Sequence, residues 1–157
     1  MKQNAYSWKT LVVCLIIVFG IGLGGGLLAN GETDGSWYES VKPSITPPGW
    51  VFPIVWNILF VLIAISLWVA WTNAKPKQRT TLALWFGTNL LLNALWSFLY
   101  FGMHRPDFAL MDLVLLWITI TGMMFVSGKI DKRARWLLVP YLVWVSFAGV
   151  LNYLSIV

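Results

Sequence analysis

Five stretches of this chain are long and apolar enough to cross a lipid bilayer, and nothing else in the sequence restricts the fold as much. Residues 11–29, 51–71, 82–101 and 136–157 carry no charged side chain, and residues 108–127 carry only Asp112. At roughly 1.5 Å rise per residue, about 20 residues of helix span a hydrocarbon core of about 30 Å. Backbone groups in lipid must be bonded within one helix or around a closed barrel. Strand-type alternation of apolar and polar residues is absent, which disfavours the barrel. The expectation is an all-α integral membrane protein, a five-transmembrane-helix bundle in a single domain, with a long outer loop over residues 30–50. Composition agrees: 59% of residues are hydrophobic and 11% charged, against about a quarter charged in soluble proteins.

The first run follows Lys2 and Lys9, as in a secretory signal. Its 19 uncharged residues exceed a signal core of about 7 to 15, and Leu27, Leu28, Ala29 and Asn30 make a poor cleavage site. It is therefore expected to stay as a helix. Two small-xxx-small pairs, Gly20 with Gly24 and Gly22 with Gly26, would let another backbone approach, within the bundle or between protomers.

Basic residues set the expected orientation. With the N-terminus in the cytoplasm, Lys2, Lys9, Lys75, Lys77, Arg79, Lys129, Lys132, Arg133 and Arg135 fall inside, and only Lys42 and Arg105 fall outside. That asymmetry obeys the positive-inside tendency and predicts a multi-pass protein of the cell membrane, with the C-terminus and the long first loop outside. The net charge of +5 is thereby explained without nucleic acid as a partner.

The stretch 37–56 departs from what a plain span needs. Pro43, Pro47, Pro48 and Pro53 stiffen the approach to the second run, since each fixes φ and lacks an N–H. Trp37, Tyr38 and Trp50 then stand at the rim of a membrane helix. Two readings are open: a shaped mouth over a cavity, or an interfacial aromatic belt.

Polar side chains within the spans fall into stripes. Trp85, Asn89, Asn93, Trp96 and Tyr100 share one helix face, as do Tyr141, Trp144, Ala148 and Asn152, and Trp50, Pro53, Asn57 and Phe60. Amides beside indoles suit a flat ligand, and equally suit interhelical hydrogen bonds. Asp112 is the one ionisable group well inside a span, a functional candidate by default, with pairing to Arg105 or a bond to a neighbouring helix as the alternative. His104 lies in a short outer loop and is the only histidine, so a pair of axial haem ligands is not available. Cys14 is the only cysteine, which excludes an intrachain disulfide and a cysteine metal cluster. No permanently bound cofactor and no metal are expected.

Together these residues resemble the translocator protein family, whose bacterial members are the tryptophan-rich sensory proteins. The motifs are Trp37-Tyr38, Lys42-Pro43, Pro47-Pro48-x-Trp50, Pro53 with Trp56, Asn93 and Trp96 in NALWSFLYFG, Asp112, and PYLVWVSFAGVLNY at 140–153, spread over nearly the whole chain. The resemblance implies a five-helix bundle, commonly a homodimer, whose pocket on the side of the long first loop takes porphyrins and synthetic isoquinoline or benzodiazepine-type ligands. It points to Trp50, Asn93, Trp96, Trp144 and Ala148 as ligand-binding residues; beside it, the rim, stripe and span positions Trp37, Tyr38, Pro47, Asn57, Asn89, Asp112 and Tyr141 stand as secondary candidates. For bacterial members it extends to light- and oxygen-dependent porphyrin breakdown, although the chain shows no conventional catalytic constellation.

A tetrapyrrole-binding membrane protein, for transport, sensing or breakdown, is the expected function. Aromatic walls would stack on the macrocycle, while Lys42, Arg105 and indole N–H groups would serve its carboxylates. An ion-coupled carrier is the alternative, with Asp112 as its one available acid. Sterol binding is the other: the family's sterol motif is partly matched by Val150, Leu151 and Tyr153 without its basic residue, and a stray match sits at Leu95, Tyr100 and Arg105.

Overall fold

A computed structural model describes residues 7–28 and 35–157. Lys2, Ala29, Asn30, Glu32 and Asp34 lie outside the described residues. The elements are α1 (Trp8–Leu28), α2 (Ser36–Val41), α3 (Val51–Asn73), α4 (Pro76–Ser97), a π-helical turn (Phe98–Gly102), α5 (Pro106–Gly128), α6 (Lys132–Leu137) and α7 (Val139–Leu154). Five membrane-spanning helices result, because α4 runs on through the π turn and α6 with α7 forms one span. The chain is an all-α membrane protein. Outward-facing Ile16, Leu84, Leu91, Met111, Ile118 and Val143 are exposed, as a lipid-facing surface requires.

Span limits differ from those read by charge alone. The third span begins at Pro76, not Leu82, since Pro at the first helical position costs no hydrogen bond and Gln78 accepts from the Lys75 backbone N–H at 2.8 Å. The fifth begins at Lys132 and is broken. Pro140 cannot donate to the carbonyl of Trp136, so the helix stops at Leu138, whose N–H donates to Arg135 in a tighter turn, and then restarts. Basic residues thus sit on α6 itself, whose N-terminus is capped by Asp131 accepting from Arg133 N at 2.8 Å. The helical turns of α2 inside the long loop were not foreseen.

α4 packs chiefly on α5 and α1, α1 on α3 and α4, and α5 on α7, while α6 wedges against α3 and α5. Ser66 of α3 donates to the Ala134 carbonyl of α6 at 2.8 Å, closing this basic end of the bundle. Leu59, Ile63, Leu82, Phe86, Ile120, Met123 and Leu138 fill the core there. At the opposite end α3 and α7 meet only sparsely, and the bundle opens.

Only part of the expected glycine pairing is used. Gly22 faces the Phe60 ring and Gly25 abuts the Ala94 backbone, whereas Gly20, Gly24 and Gly26 have nothing within 4 Å. On α5, the space a Cβ would need at Gly122 is taken by the Trp85 ring. Gly122→Val should therefore lower thermal stability in detergent by about 1–3 kcal/mol, the usual range for overpacking. Gly87→Ala, in open space on α4, should leave the melting temperature unchanged or raised. Equal melting points for the two variants would refute this close packing.

Candidate functional site

A cavity of about 620 Å³ occupies the open end, bounded by α1, the long loop, α3, α4 and α7. Its position follows from the loop. α2 ends at Lys42, whose N–H donates to the Tyr38 carbonyl at 2.9 Å, and turns closed by Thr46 N on Pro43 O and Val51 N on Pro48 O carry the chain into α3. Trp37 stacks on His104 with ring centroids 4.3 Å apart and meets Tyr100 edge-on at 5.6 Å. Tyr38 meets Tyr100 and Phe101. The lid is thus pinned to the π turn, where His104, at φ 55°, reverses the chain.

Aromatic rings form the walls. Trp50, Phe52, Trp56 and Phe60 come from α3, Trp96, Tyr100 and Phe101 from α4 and its π turn, and Trp144 from α7. Trp96 stacks on Tyr100 at 5.1 Å, and Phe52 meets Trp144 at 5.8 Å. Trp50 stands at the rim, 67% exposed. A π turn carries one residue more per turn than an α turn, and such turns are frequent at functional sites; here Met103 N donates to Phe98 O at 2.8 Å.

Beneath the walls a polar seam ties three helices together. Tyr141 of α7 donates its hydroxyl hydrogen to Asn89 Oδ1 at 3.1 Å, and Asn93 Nδ2 donates to Tyr141 at 3.4 Å. Asn89 Nδ2 donates to Thr119 Oγ1 of α5 at 2.9 Å, and Thr119 donates to the Leu116 carbonyl. Trp96 Nε1 donates to Asn152 Oδ1 at 3.0 Å, and Asn152 Nδ2 to the Pro106 carbonyl at 2.7 Å.

Trp50, Asn93, Trp96, Trp144 and Ala148 all line this one cavity, and so do Tyr38 and Asn57. The remaining candidates lie elsewhere. Asn89 and Tyr141 are buried in the seam, Trp37 clamps the lid, and Pro47 belongs to the lid loop without lining the space. The Trp85–Tyr100 stripe is therefore both things its spacing allowed: packed seam at Asn89, cavity wall at Trp96 and Tyr100. Contributions from Gly22, Leu23 and Gly26 of α1, and from Trp56, Phe52 and Phe101, were missed. Trp56 sits one helical turn from Pro53 and could have been read from the stripe; the α1 glycines carry no such signal.

Three electrostatic expectations are corrected. Asp112 is 5% exposed and both its oxygens lack a hydrogen-bond partner among the described residues. Arg105 does not reach it, because the guanidinium donates to Asp107 at 2.9 and 2.6 Å and lies over the Phe108 ring. Nor do Lys42 and Arg105 supply a cationic end to the cavity, since Lys42 is paired with Glu39 at 2.6 Å and neither lines the space.

A shallower depression of about 440 Å³ on the outer face of α5 and α7 is almost wholly apolar. Its indole, Trp117, already donates to Ser146 at 3.0 Å. Lipid chains suffice to fill it. Val150 and Tyr153 face this groove while Leu151 faces the cavity, so that sterol-like motif is split between two surfaces.

The TspO/MBR family model matches residues 12–156. The chain belongs to the TspO/MBR family. It is 41% identical over 147 residues to the tryptophan-rich protein TspO of Chlorobaculum tepidum, covering 92% of each chain. Identity to the TspO of Archaeoglobus fulgidus is 38% over 144 residues, covering 91% of this chain and 92% of that one. The translocator protein of Bos taurus is 32% identical over 136 residues, 82% of this chain and 80% of its own. The described cavity walls and lid lie within the matched residues 12–156.

Tyr141→Phe removes the hydroxyl that joins Asn89 to Asn93. Interhelical hydrogen bonds in membranes average about 0.6 kcal/mol and reach about 1.7. The variant should melt about 1–5 °C lower in detergent; a melting point at or above that of the parent would show the seam to be dispensable.

Proposed function

We propose that this TspO/MBR protein binds a flat tetrapyrrole of the protoporphyrin kind in the cavity under the lid, for its transport, sensing or breakdown. One observation carries the reading: indoles from three helices, Trp50 and Trp56, Trp96, and Trp144, border a single space of about 620 Å³. That volume falls within the roughly 300–1,000 Å³ of small-molecule sites, and planar π faces stack best on other planar π faces. Synthetic isoquinoline and benzodiazepine-type ligands would occupy the same walls.

Loss of one indole face costs about 0.5–1.5 kcal/mol beyond area, so Trp144→Phe or Trp50→Phe should weaken protoporphyrin binding about 2- to 12-fold. Tryptophan fluorescence quenching in detergent reads this directly. Unchanged affinity in both variants would overturn the site assignment.

A second reading, light-driven breakdown of the bound ring, is favoured by three oxidisable indoles, Trp50, Trp56 and Trp144, whose N–H groups have no hydrogen-bond partner among the described residues. Among those residues no group of three His, Cys, Asp or Glu could hold a metal ion, so the excited macrocycle itself and dioxygen would supply the oxidation. Bleaching of protoporphyrin under light should be slower with Trp144→Phe than with the parent protein.

The basic end of the bundle, with Lys9, Lys75, Lys77, Arg79, Lys129, Lys132, Arg133 and Arg135, faces the cytoplasm of the cell membrane in this proposal, and the lid faces outward. A cysteine introduced at Lys42 should react with an impermeant thiol reagent on intact cells, and one at Lys77 should not; the reverse pattern would invert the topology. The open face of α1 around Gly20 and Gly24 is where a second copy would pack in a homodimer.

A further inference from the structure

We infer that the cavity selects its ligand by charge: it takes flat ring systems in an uncharged, acceptor-bearing form and holds ionised carboxylates out at the rim. This rests on the tetrapyrrole reading and narrows its ligand class.

Among the described residues the lining carries no Asp, Glu, Lys, Arg or His. An ionised carboxylate brought into such a space loses its hydration without gaining a counter-charge, which is among the costliest transfers in a protein. The nearest cations do not compensate. Lys42 is held by Glu39 at 2.6 Å and Arg105 by Asp107 at 2.6 Å, so the described charges at this end cancel in pairs. The other described cations lie at the far end of the bundle or in its connectors there.

Neutral donors inside the cavity are mostly spent as well. Trp96 Nε1 is bonded to Asn152, Asn152 Nδ2 to Pro106 O, Asn57 Nδ2 to Pro53 O, and Asn93 Nδ2 to Tyr141. The N-terminus of α3 at the rim offers little to an anion, because Val51 N and Phe52 N already donate to Pro48 O and Gly49 O and Pro53 has no N–H. What remains, among the described lining, is the set of unbonded indole N–H groups of Trp50, Trp56 and Trp144 and the hydroxyls of Thr46 and Ser97. Those are single neutral donors, matched to an ester or amide carbonyl more than to a carboxylate, which needs several donors or a cation.

Protoporphyrin and its dimethyl ester share one ring and differ in charge. Titrated by tryptophan quenching at pH 7.5 against the detergent-solubilised protein, with uptake by empty micelles subtracted, the ester should bind about threefold more tightly or better. Gly49 lines the rim in open space, so Gly49→Lys supplies a cation without displacing a wall. It should raise the ratio of acid to ester affinity by up to about fivefold, the range of an exposed ion pair. Tighter binding of the free acid by the parent protein, or an acid-to-ester ratio unmoved by Gly49→Lys, overturns the selection by charge while the tetrapyrrole reading stands. Binding of neither compound removes both.

Discussion

Amides and hydroxyls inside a bilayer have no water to fall back on, so those of α4, α5 and α7 must satisfy one another. Asn89, Asn93, Tyr141 and Thr119 do so in a continuous chain, and Trp96 with Asn152 and the Pro106 carbonyl does so one turn nearer the lid. This seam fixes the rotation of each helix about its own axis. Leu, Val and Ile faces could slide past each other at small cost in lipid, where burial against another helix is hardly better than burial against acyl chains. The bonded amides cannot.

Once α4 and α7 are locked, the opposite side of the bundle is free to stand apart. α3 meets α7 through little more than Phe52 on Trp144 and Trp56 beside Tyr141, and the gap becomes the cavity. At the basic end Ser66 bonds the α6 backbone, and Leu82, Met123 and Leu138 are fully buried. Rigidity at one end and space at the other thus follow from where the polar bonds were placed. The walls are aromatic because rings can line a void with apolar faces while keeping few polar atoms to satisfy.

Ring contacts attach the lid. Trp37 on His104, and Tyr38 on Tyr100 and Phe101, bind a proline-stiffened segment to the π turn. Such contacts hold position without demanding one orientation. Thr46 Oγ1 is buried beneath the lid with no partner among the described residues, a small unmet demand at the surface a ligand would approach. Ion pairs at this end, Lys42 with Glu39 and Arg105 with Asp107, are local in sequence. They neutralise charge near the mouth and do not reach into it.

Much of this was legible in the residues. Uncharged runs of about 20 residues determine the helices, because length and solvent leave no alternative, and the largest shift of an end came at the third span, which Pro76 starts. Helical spacing was enough to put Asn93, Trp96, Trp144 and Ala148 on inward faces. It could not say which inward positions meet across a packed seam and which across a void, since that depends on how far apart two helices stand. Asn89 and Tyr141 therefore lie in the seam, while Trp56, Phe101 and the α1 glycines Gly22 and Gly26 line the void. Asp112 and Arg105 are close in sequence yet apart in space, because Arg105 had a nearer acceptor in Asp107. The sequence by itself determined the spans and their polar faces, through local chemistry and the bilayer; only the tertiary structure decided the cavity, because separations between helices arise from contacts that no single span contains.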